Sequence, residues 1–446
     1  MDHDTAAARS PADVAERLRR LQQLGVRRGA AGLAVSPPRL PAPAVMEGLP
    51  GRVVETAAGP CLIASTRYEL TEQRGGWSLA AALQASGGAL AACGRDAALA
   101  ELTLRNAAFL DTETSGLAGG AGTFAFMVGI GLFDDAYTVH QVVMRTPAEE
   151  PALLQAISDL LADRELLVTF NGRSFDAPLL NTRYALQRLP SPLRALQHLD
   201  LLPPARQRWR LRLPSCALGS LEQDIFAMQR SHEDVPGWLI PSIYQEFARG
   251  FPQPRPEVVE DMTRVFYHNR EDIVTMVPLA AALAAPFEQQ GAWAPTEPQP
   301  AADWLSLARC YEELGWHTVS EAAYRRSLRD RLAPPLRSLA LQRLADLLRR
   351  LERRAEAAEL WQEWIVSVPG ADVTPYEELA KHHEWYMPDL AAARKWTLWG
   401  LHTAQQLPPG APREAALLRL THRLQRLERK LVQPVERAAA ATPPVE

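Results

Sequence analysis

The chain has 446 residues, of which 47% are hydrophobic and 22% charged, and its formal net charge is −4. That length predicts two or three domains of an ordinary soluble protein, and the acidic balance excludes whole-molecule attraction to nucleic acid, so such binding would need a local basic patch. Cys61, Cys93, Cys216 and Cys310 stand singly, which excludes a paired-cysteine zinc site or a disulfide framework. No apolar run is long enough to span a bilayer, and the start Met1-Asp2-His3-Asp4 lacks the pattern of a signal peptide, so a cytoplasmic protein with no membrane partner is expected.

Residues 11–28 set Leu18, Leu21 and Leu24 among Arg17, Arg19 and Arg20, the pattern of a short amphipathic helix. Pro, Ala and Gly then dominate, so 1–50 reads as an N-terminal helix and flexible linker. Arg52-Val53-Val54-Glu55-Thr56 and Cys61-Leu62-Ile63-Ala64-Ser65 flank Ala57-Ala58-Gly59-Pro60, a hairpin signal. The Ala-rich stretch 79–93 predicts a helix interrupted at Gly87-Gly88. Residues 51–105 thus form a hairpin and helix leading into the next domain.

Phe109 and Leu110 open a buried strand that ends in Asp111-Thr112-Glu113-Thr114. Residues i and i+2 of a strand share a face, so Asp111 and Glu113 sit side by side. Adjacent buried carboxylates need an offsetting charge, and a divalent cation supplies one; a strand end at the surface is the plainer alternative. The glycine-rich loop 118–122 lacks the Gly-Lys-Ser/Thr ending of a P-loop, which excludes that mode of triphosphate binding. Asp111-Thr112-Glu113 is likewise not the Asp-Thr-Gly of an aspartic protease.

Residues 123–133 are a near-continuous apolar run and predict a central strand; 137–144 predict a third strand, 148–161 a helix and 166–170 a fourth strand. That order is an α/β layout with a mixed sheet. Asn171-Gly172 makes a turn and Pro178 fits a first helical turn, which puts Asp176 at the carboxyl end of a buried strand, where ligands of open α/β sheets gather. Complementing the helix dipole is the alternative use of one Asp there.

His198-Leu199-Asp200 ends a further strand. Arg206, Arg208, Arg210 and Arg212 follow around Trp209, a run that suits phosphate contacts or a solvated face. Residues 215–244 predict helices joined at Asp234-Val235-Pro236-Gly237. In 256–277, Val265, His268, Asp272 and Met276 step by three and four along one helical stripe. Titratable groups on an inward stripe point to a buried ion pair or to a metal or catalytic site. Residues 291–302 form a Pro-rich linker, and its composition predicts that a chain cut after Pro300 stays soluble. Beyond it, Leu344-Ala345 recurs as Leu379-Ala380 and Trp361 as Trp396, each at an offset of 35 (379 − 344). That period predicts tetratricopeptide-like helical repeats over 303–432, with a disordered tail at 433–446.

Taken together, Asp111-x-Glu113, Asn171-Gly-x-x-Phe-Asp176 and His268-x-x-x-Asp272 resemble the DEDD (DnaQ-like) superfamily of 3′→5′ exonucleases, in particular its YprB-like bacterial branch. Leu117-Ala-Gly-Gly-Ala-Gly122, His198-x-Asp-Leu-Leu202 and the C-terminal repeats fit the same branch. The resemblance implies a ribonuclease H-like mixed sheet flanked by helices over 106–290. It implies two Mg²⁺ or Mn²⁺ ions held by Asp111, Glu113, Asp176 and Asp272, and hydrolysis of DNA or RNA from single-stranded 3′ ends. Thr114, Ser115 and Leu117 would touch the nucleic acid end, with Asn171 and Tyr267 also on substrate. The superfamily usually places Tyr four residues, or His five residues, before the last Asp. Here His268 stands at four and Tyr267 at five. An unbroken helix would turn His268, and not Tyr267, toward the face of Asp272, which makes His268 the expected base. A proofreading exonuclease of the superfamily normally serves a polymerase, and none is fused here; the repeats would serve recruitment of a protein partner. A retired nuclease fold used as a scaffold for nucleic acid ends and a partner is the non-enzymatic alternative.

Overall fold

The structure is a computed structural model and describes residues 48–116, 122–291, 298–370 and 372–440, with side chains to residue 432. The N-terminal helix and linker in 1–47, the glycine-rich loop from Leu117 through residue 121, the Pro-rich residues 292–297 and the last tail residues 441–446 lie outside the described residues.

Strands β1 (Arg52–Thr56) and β2 (Gly59–Tyr68) form the expected hairpin. A two-stranded ribbon, β3 (Gln73–Arg74) and β4 (Trp77–Ser78), follows. The expected helix of 79–93 is two pieces, a 3-10 turn at Leu79–Gln84 and α1 (Gly87–Gly94). The break falls at Ala85 and Ser86, and the two glycines begin the second piece, because the Ser86 hydroxyl accepts from the Ala89 N–H and caps it.

Strands β5 (Ala107–Thr114), β6 (Ala125–Phe133) and β7 (Tyr137–Val143) run antiparallel as a meander. Helix α2 (Glu150–Leu161) crosses to β8 (Leu166–Thr169), and α3 (Asp176–Leu186) crosses to β9 (Gln197–Asp200). Strands β8 and β9 are parallel to β5, as helical crossovers require. The resulting seven-stranded mixed sheet has the order β1-β2-β7-β6-β5-β8-β9. Every residue of β6 is buried, which accounts for its unbroken apolar sequence in a central position.

Helices α4 (Leu202–Trp209), α5 (Leu218–Asp224) and α6 (Ile240–Gly250) lead to the long α7 (Pro256–Ala284). Helix α7 lies against β5, β6 and β7. Gly129 and Gly131 on β6 allow the close approach. A Cβ at Gly129 would lie 2.3 Å from the Asn269 side-chain oxygen, and one at Gly131 would lie 2.7 Å from Ile273.

The rest is all helical: α8 (Ala301–Glu313), α9 (His317–Arg329), α10 (Pro334–Arg350), α11 (Arg354–Ser367), α12 (Thr374–Trp385), α13 (Leu390–Gln406) and α14 (Ala411–Ala440). Each packs on the next. The recurring Leu344-Ala345 and Leu379-Ala380 pairs are buried on α10 and α12, and Trp361 is buried on α11, whereas its counterpart Trp396 on α13 is half-buried. Helix α14 continues through Ala440, well into the segment read as a tail. The junction near Pro300 also differs from the expectation of a free linker. Phe287 packs edge-on against Tyr311 and Trp316 at 5.8 and 6.3 Å, and one apolar core runs from the sheet's helices into α8–α11. A cut after Pro300 would open that core, so solubility of the shortened chain does not follow from the proline content.

Candidate active site

Strand β5 buries Ala107 to Leu110 and then brings Asp111 and Glu113 to its end. Asp111 sits opposite Gly129 and Glu113 opposite Met127, and the register shifts just after Glu113, where the strand peels away. The second segment is shaped by a turn. Asn171 has a φ of 68°, and the Asp200 carboxylate accepts from the backbone N–H groups of Asn171, Arg173 and Leu202 at 2.7, 3.1 and 3.0 Å. A Cβ at Gly172 would lie 2.5 Å from the Thr169 side chain, so the turn closes tightly there. This brace starts α3 with Asp176 in its first turn, and Thr112 donates a 2.5 Å hydrogen bond to the Asp176 carboxylate.

Helix α7 supplies the third segment, unbroken across residues 267 to 272. Asn269 donates to Asp111 at 3.1 Å and is itself held by Gln141, which also donates to the Phe266 carbonyl at 2.8 Å. Side-chain ligand atoms of Glu113, His268 and Asp272 lie within 4.8 Å of one another. Asp111 and Asp176 stand outside that closest group. Asp111 nevertheless lines one groove with Asp272 and feels the charges of Asp272, Asp176 and Glu113. The four carboxylates therefore form one electrostatic cluster drawn from β5, α3 and α7.

Burial first, and then the neighbouring carboxylates, push Asp111 well above the usual carboxylate range. Burial also raises Glu113 to about 7; the His268 charge opposes this, while Asp272 and Asp176 add to it. Asp176 is raised to about 6 by burial, against the hydrogen bond from Thr112. Such a cluster resists full ionisation near neutral pH unless a cation compensates it. Its donor atoms are hard oxygens with one imidazole beside them, a set that suits Mg²⁺ or Mn²⁺. The residues present fit such ions.

A guanidinium also reaches the cluster. Arg230 is ion-paired to Asp272 and to buried Glu222, whose carboxylate lies 2.6 Å from it, and stands 3.7 Å from Asp234. Glu222 also accepts from the Thr275 hydroxyl at 2.7 Å. His268 Nδ1 is 2.7 Å from Asp234, which leaves Nε2 facing Asp272 at 3.5 Å. Burial alone would lower the His268 pKa, but Asp272, Glu113 and the Asp234 hydrogen bond outweigh it and raise it. Tyr267 faces elsewhere: its hydroxyl accepts from the Ser231 N–H at 2.9 Å and its ring lies under Arg270.

The remaining expected residues flank the cluster. Thr114 donates to the Gly116 carbonyl at 2.9 Å. Ser115 is tied to Phe124 through both backbone and hydroxyl, and its carbonyl accepts from Gln245. Asn171 lines the groove that holds Asp111 and Asp272, and Leu117 is outside the described residues. The sequence reading missed Arg230, Glu222 and Asn269. Asn269 had a signal, since it lies four residues beyond buried Val265 on the inward side of α7. Glu222 and Arg230 belong to segments with no periodicity that would mark them.

The family model of the RNase H superfamily matches residues 108–284. Uncharacterized protein YprB of Bacillus subtilis (strain 168) is 36% identical over 177 residues, which are 39% of this chain and 41% of that relative. The chain thus spans about two fifths of the length of the curated relative it matches. Among the described residues no helix is long and apolar enough to cross a membrane. The matched stretch holds all four clustered carboxylates, and with the mixed sheet and its flanking helices it makes this part of the chain RNase H-like, followed by an all-helical region.

Proposed function

We propose that the chain is a metal-dependent nuclease that hydrolyses phosphodiester bonds of DNA or RNA, acting as a 3′→5′ exonuclease with two divalent ions. The observation that supports this most is the convergence of Asp111, Glu113, Asp176 and Asp272, buried or half-buried, mutually repelling and drawn from three distant segments. Mg²⁺ or Mn²⁺ held by these carboxylates would activate water and stabilise the leaving oxygen. The chain's own residues do the rest. Asn269 fixes Asp111, Thr112 fixes Asp176, and Asp234 orients the imidazole of His268 so that Nε2 faces the cluster as the general base. Thr114, Ser115, Leu117 and Asn171 are assigned to the nucleic acid end, Tyr267 to holding the Ser231 backbone and not to substrate, and the helices over 303–432 to tetratricopeptide-like recruitment of a protein partner.

The Arg230 bridge on Asp272 favours a second reading, a retired nuclease fold in which a guanidinium stands in for a cation. The two readings separate in one experiment. Full-length protein with Mn²⁺ is incubated with single-stranded DNA, RNA and duplexes carrying a 5′ label. A ladder shortening from the 3′ end, lost in Asp111→Asn, is expected. No cleavage of any substrate, together with no Mn²⁺ binding by calorimetry, would leave the retired scaffold.

A further inference from the structure

Helical geometry divides the arginine run after β9 into two functions. Arg208 and Arg212, one turn apart, face the all-helical region. Arg208 donates to the Asp303 carbonyl at 2.8 Å, and Arg212 makes a two-pronged ion pair with the Asp303 carboxylate at 2.9 and 3.1 Å. Arg206 and Arg210, also one turn apart, are exposed and have no carboxylate partner among the described residues. The helical hydrogen bond from the Arg210 N–H to the Arg206 carbonyl keeps them on one side.

That side faces a groove of about 670 Å³. Arg206 and Arg210 line it together with Phe170, Asn171, Asp111 and Asp272. A polyanion approaching the acidic cluster is repelled by it, so an approach route needs fixed positive charge along its wall. Two arginines whose backbone positions are about 6 Å apart along the helix axis supply it, with side chains long enough to reach successive phosphates of an extended strand. Phe170 adds a half-buried aromatic on which a base can stack. The Asp303 clamp fixes the wall, because the opposite side of the same helix is pinned to α8.

Resting on the nuclease reading above, we propose that Arg206 and Arg210 form the track for the phosphodiester backbone of a single nucleic acid strand whose end reaches Asp111 and Asp272. Contacts of this kind read phosphates and not bases, so binding is independent of sequence, similar for DNA and RNA, and steeply salt-dependent.

The test uses full-length Asp111→Asn protein, so that binding is read without cleavage, and fluorescently labelled single-stranded DNA and RNA across a series of KCl concentrations. Each lost phosphate contact lowers the slope of log K against log [salt] by about 0.7 for a single strand, so Arg206→Ala/Arg210→Ala should lower it by about 1.4 on both nucleic acids. Arg206→Lys/Arg210→Lys keeps the charge and should keep most of the slope, which separates loss of contacts from loss of fold. Arg52→Ala/Arg194→Ala, at exposed positions elsewhere, should leave it unchanged. An unchanged slope in the alanine pair, an equal loss in the distant pair, or binding of polyglutamate in place of oligonucleotides would overturn the proposal. A slope that falls as expected in a protein that never cuts labelled strands would keep the track and remove the nuclease reading; cleavage with an unchanged slope would do the reverse.

Discussion

Glu113→Gln isolates the electrostatics of the cluster from its shape. Without a cation, burial first and then the neighbouring carboxylates push Glu113 up to about 7 in the fold, against an ordinary 4.5. At about 1.4 kcal/mol per pH unit, ionising it in the fold costs about 3 kcal/mol more than ionising it in the unfolded chain. Its contribution to stability is therefore whole below pH 4.5, is lost as the pH rises toward 7, and is absent above that. Gln removes the charge and nearly keeps the volume. At about pH 8 with EDTA, the variant should be more stable than wild type by up to about 3 kcal/mol, a rise of a few °C in Tm. Near pH 4 the two should converge. Saturating Mn²⁺ should narrow that gap at high pH, because ligand at about 100 times Kd adds about 2.7 kcal/mol to the protein that binds it and less to one that has lost a ligand. Thermal melts at two pH values, with EDTA and with Mn²⁺, read all four corners. Wild type more stable than the variant at high pH in EDTA, or equal stabilisation of both by Mn²⁺, would refute the cluster as a cation site.

Other perturbations probe the remaining supports. His268→Ala should slow cleavage by a factor on the order of 10² or more with Mn²⁺ binding retained, and Tyr267→Phe should be mild, since that hydroxyl only accepts from the Ser231 N–H; the reverse ranking in single-turnover assays would reassign the base. Gly129→Ala forces a methyl to within 2.3 Å of Asn269 and so displaces α7 from β6; a loss of about 1–3 kcal/mol in denaturant melts is expected, with slower cleavage, and unchanged stability would mean that α7 shifts freely. A chain ending at Pro300 loses the Asp303 partner of buried Arg208 and the ring contacts of Phe287. It should aggregate or melt without cooperativity, and a soluble, cooperatively melting fragment would show that the shared core is dispensable.

The strands and the three carboxylate segments were legible in the sequence because each rests on a local rule. Residues 125–133 are apolar throughout because β6 is buried at the centre of the sheet, and Asp111 and Glu113 share a face because a strand has a period of two. His268 and Asp272 share a stripe because α7 is unbroken across them. The break at Ser86 was misplaced for a related reason. Glycine pairs are read as interruptions, yet here the serine before them caps the helix and the glycines start it. Proline content misled in a similar way at Pro300, since it reports on local backbone and says nothing of the apolar surfaces that meet across the junction.

What stayed hidden is what depends on chain partners far apart. Glu222 and Arg230 lie in a stretch with little periodicity, and their meaning comes from α7, where Arg230 meets Asp272 and Glu222 accepts from Thr275. The arginine run shows the same limit in a sharper form. As a sequence, Arg206, Arg208, Arg210 and Arg212 are equivalent, and phosphate contact and solvated face are rival readings of all four. In the fold, the carbonyl and carboxylate of Asp303 take up two of them, and the other two are left along the groove with Asp111 and Asp272. A charge run therefore acquires a function position by position, according to which of its members the fold has already neutralised. The exposed pair matters because net charge falls on the acidic side and the cluster itself repels phosphate. Any affinity for nucleic acid must then come from a few cations that have no internal partner.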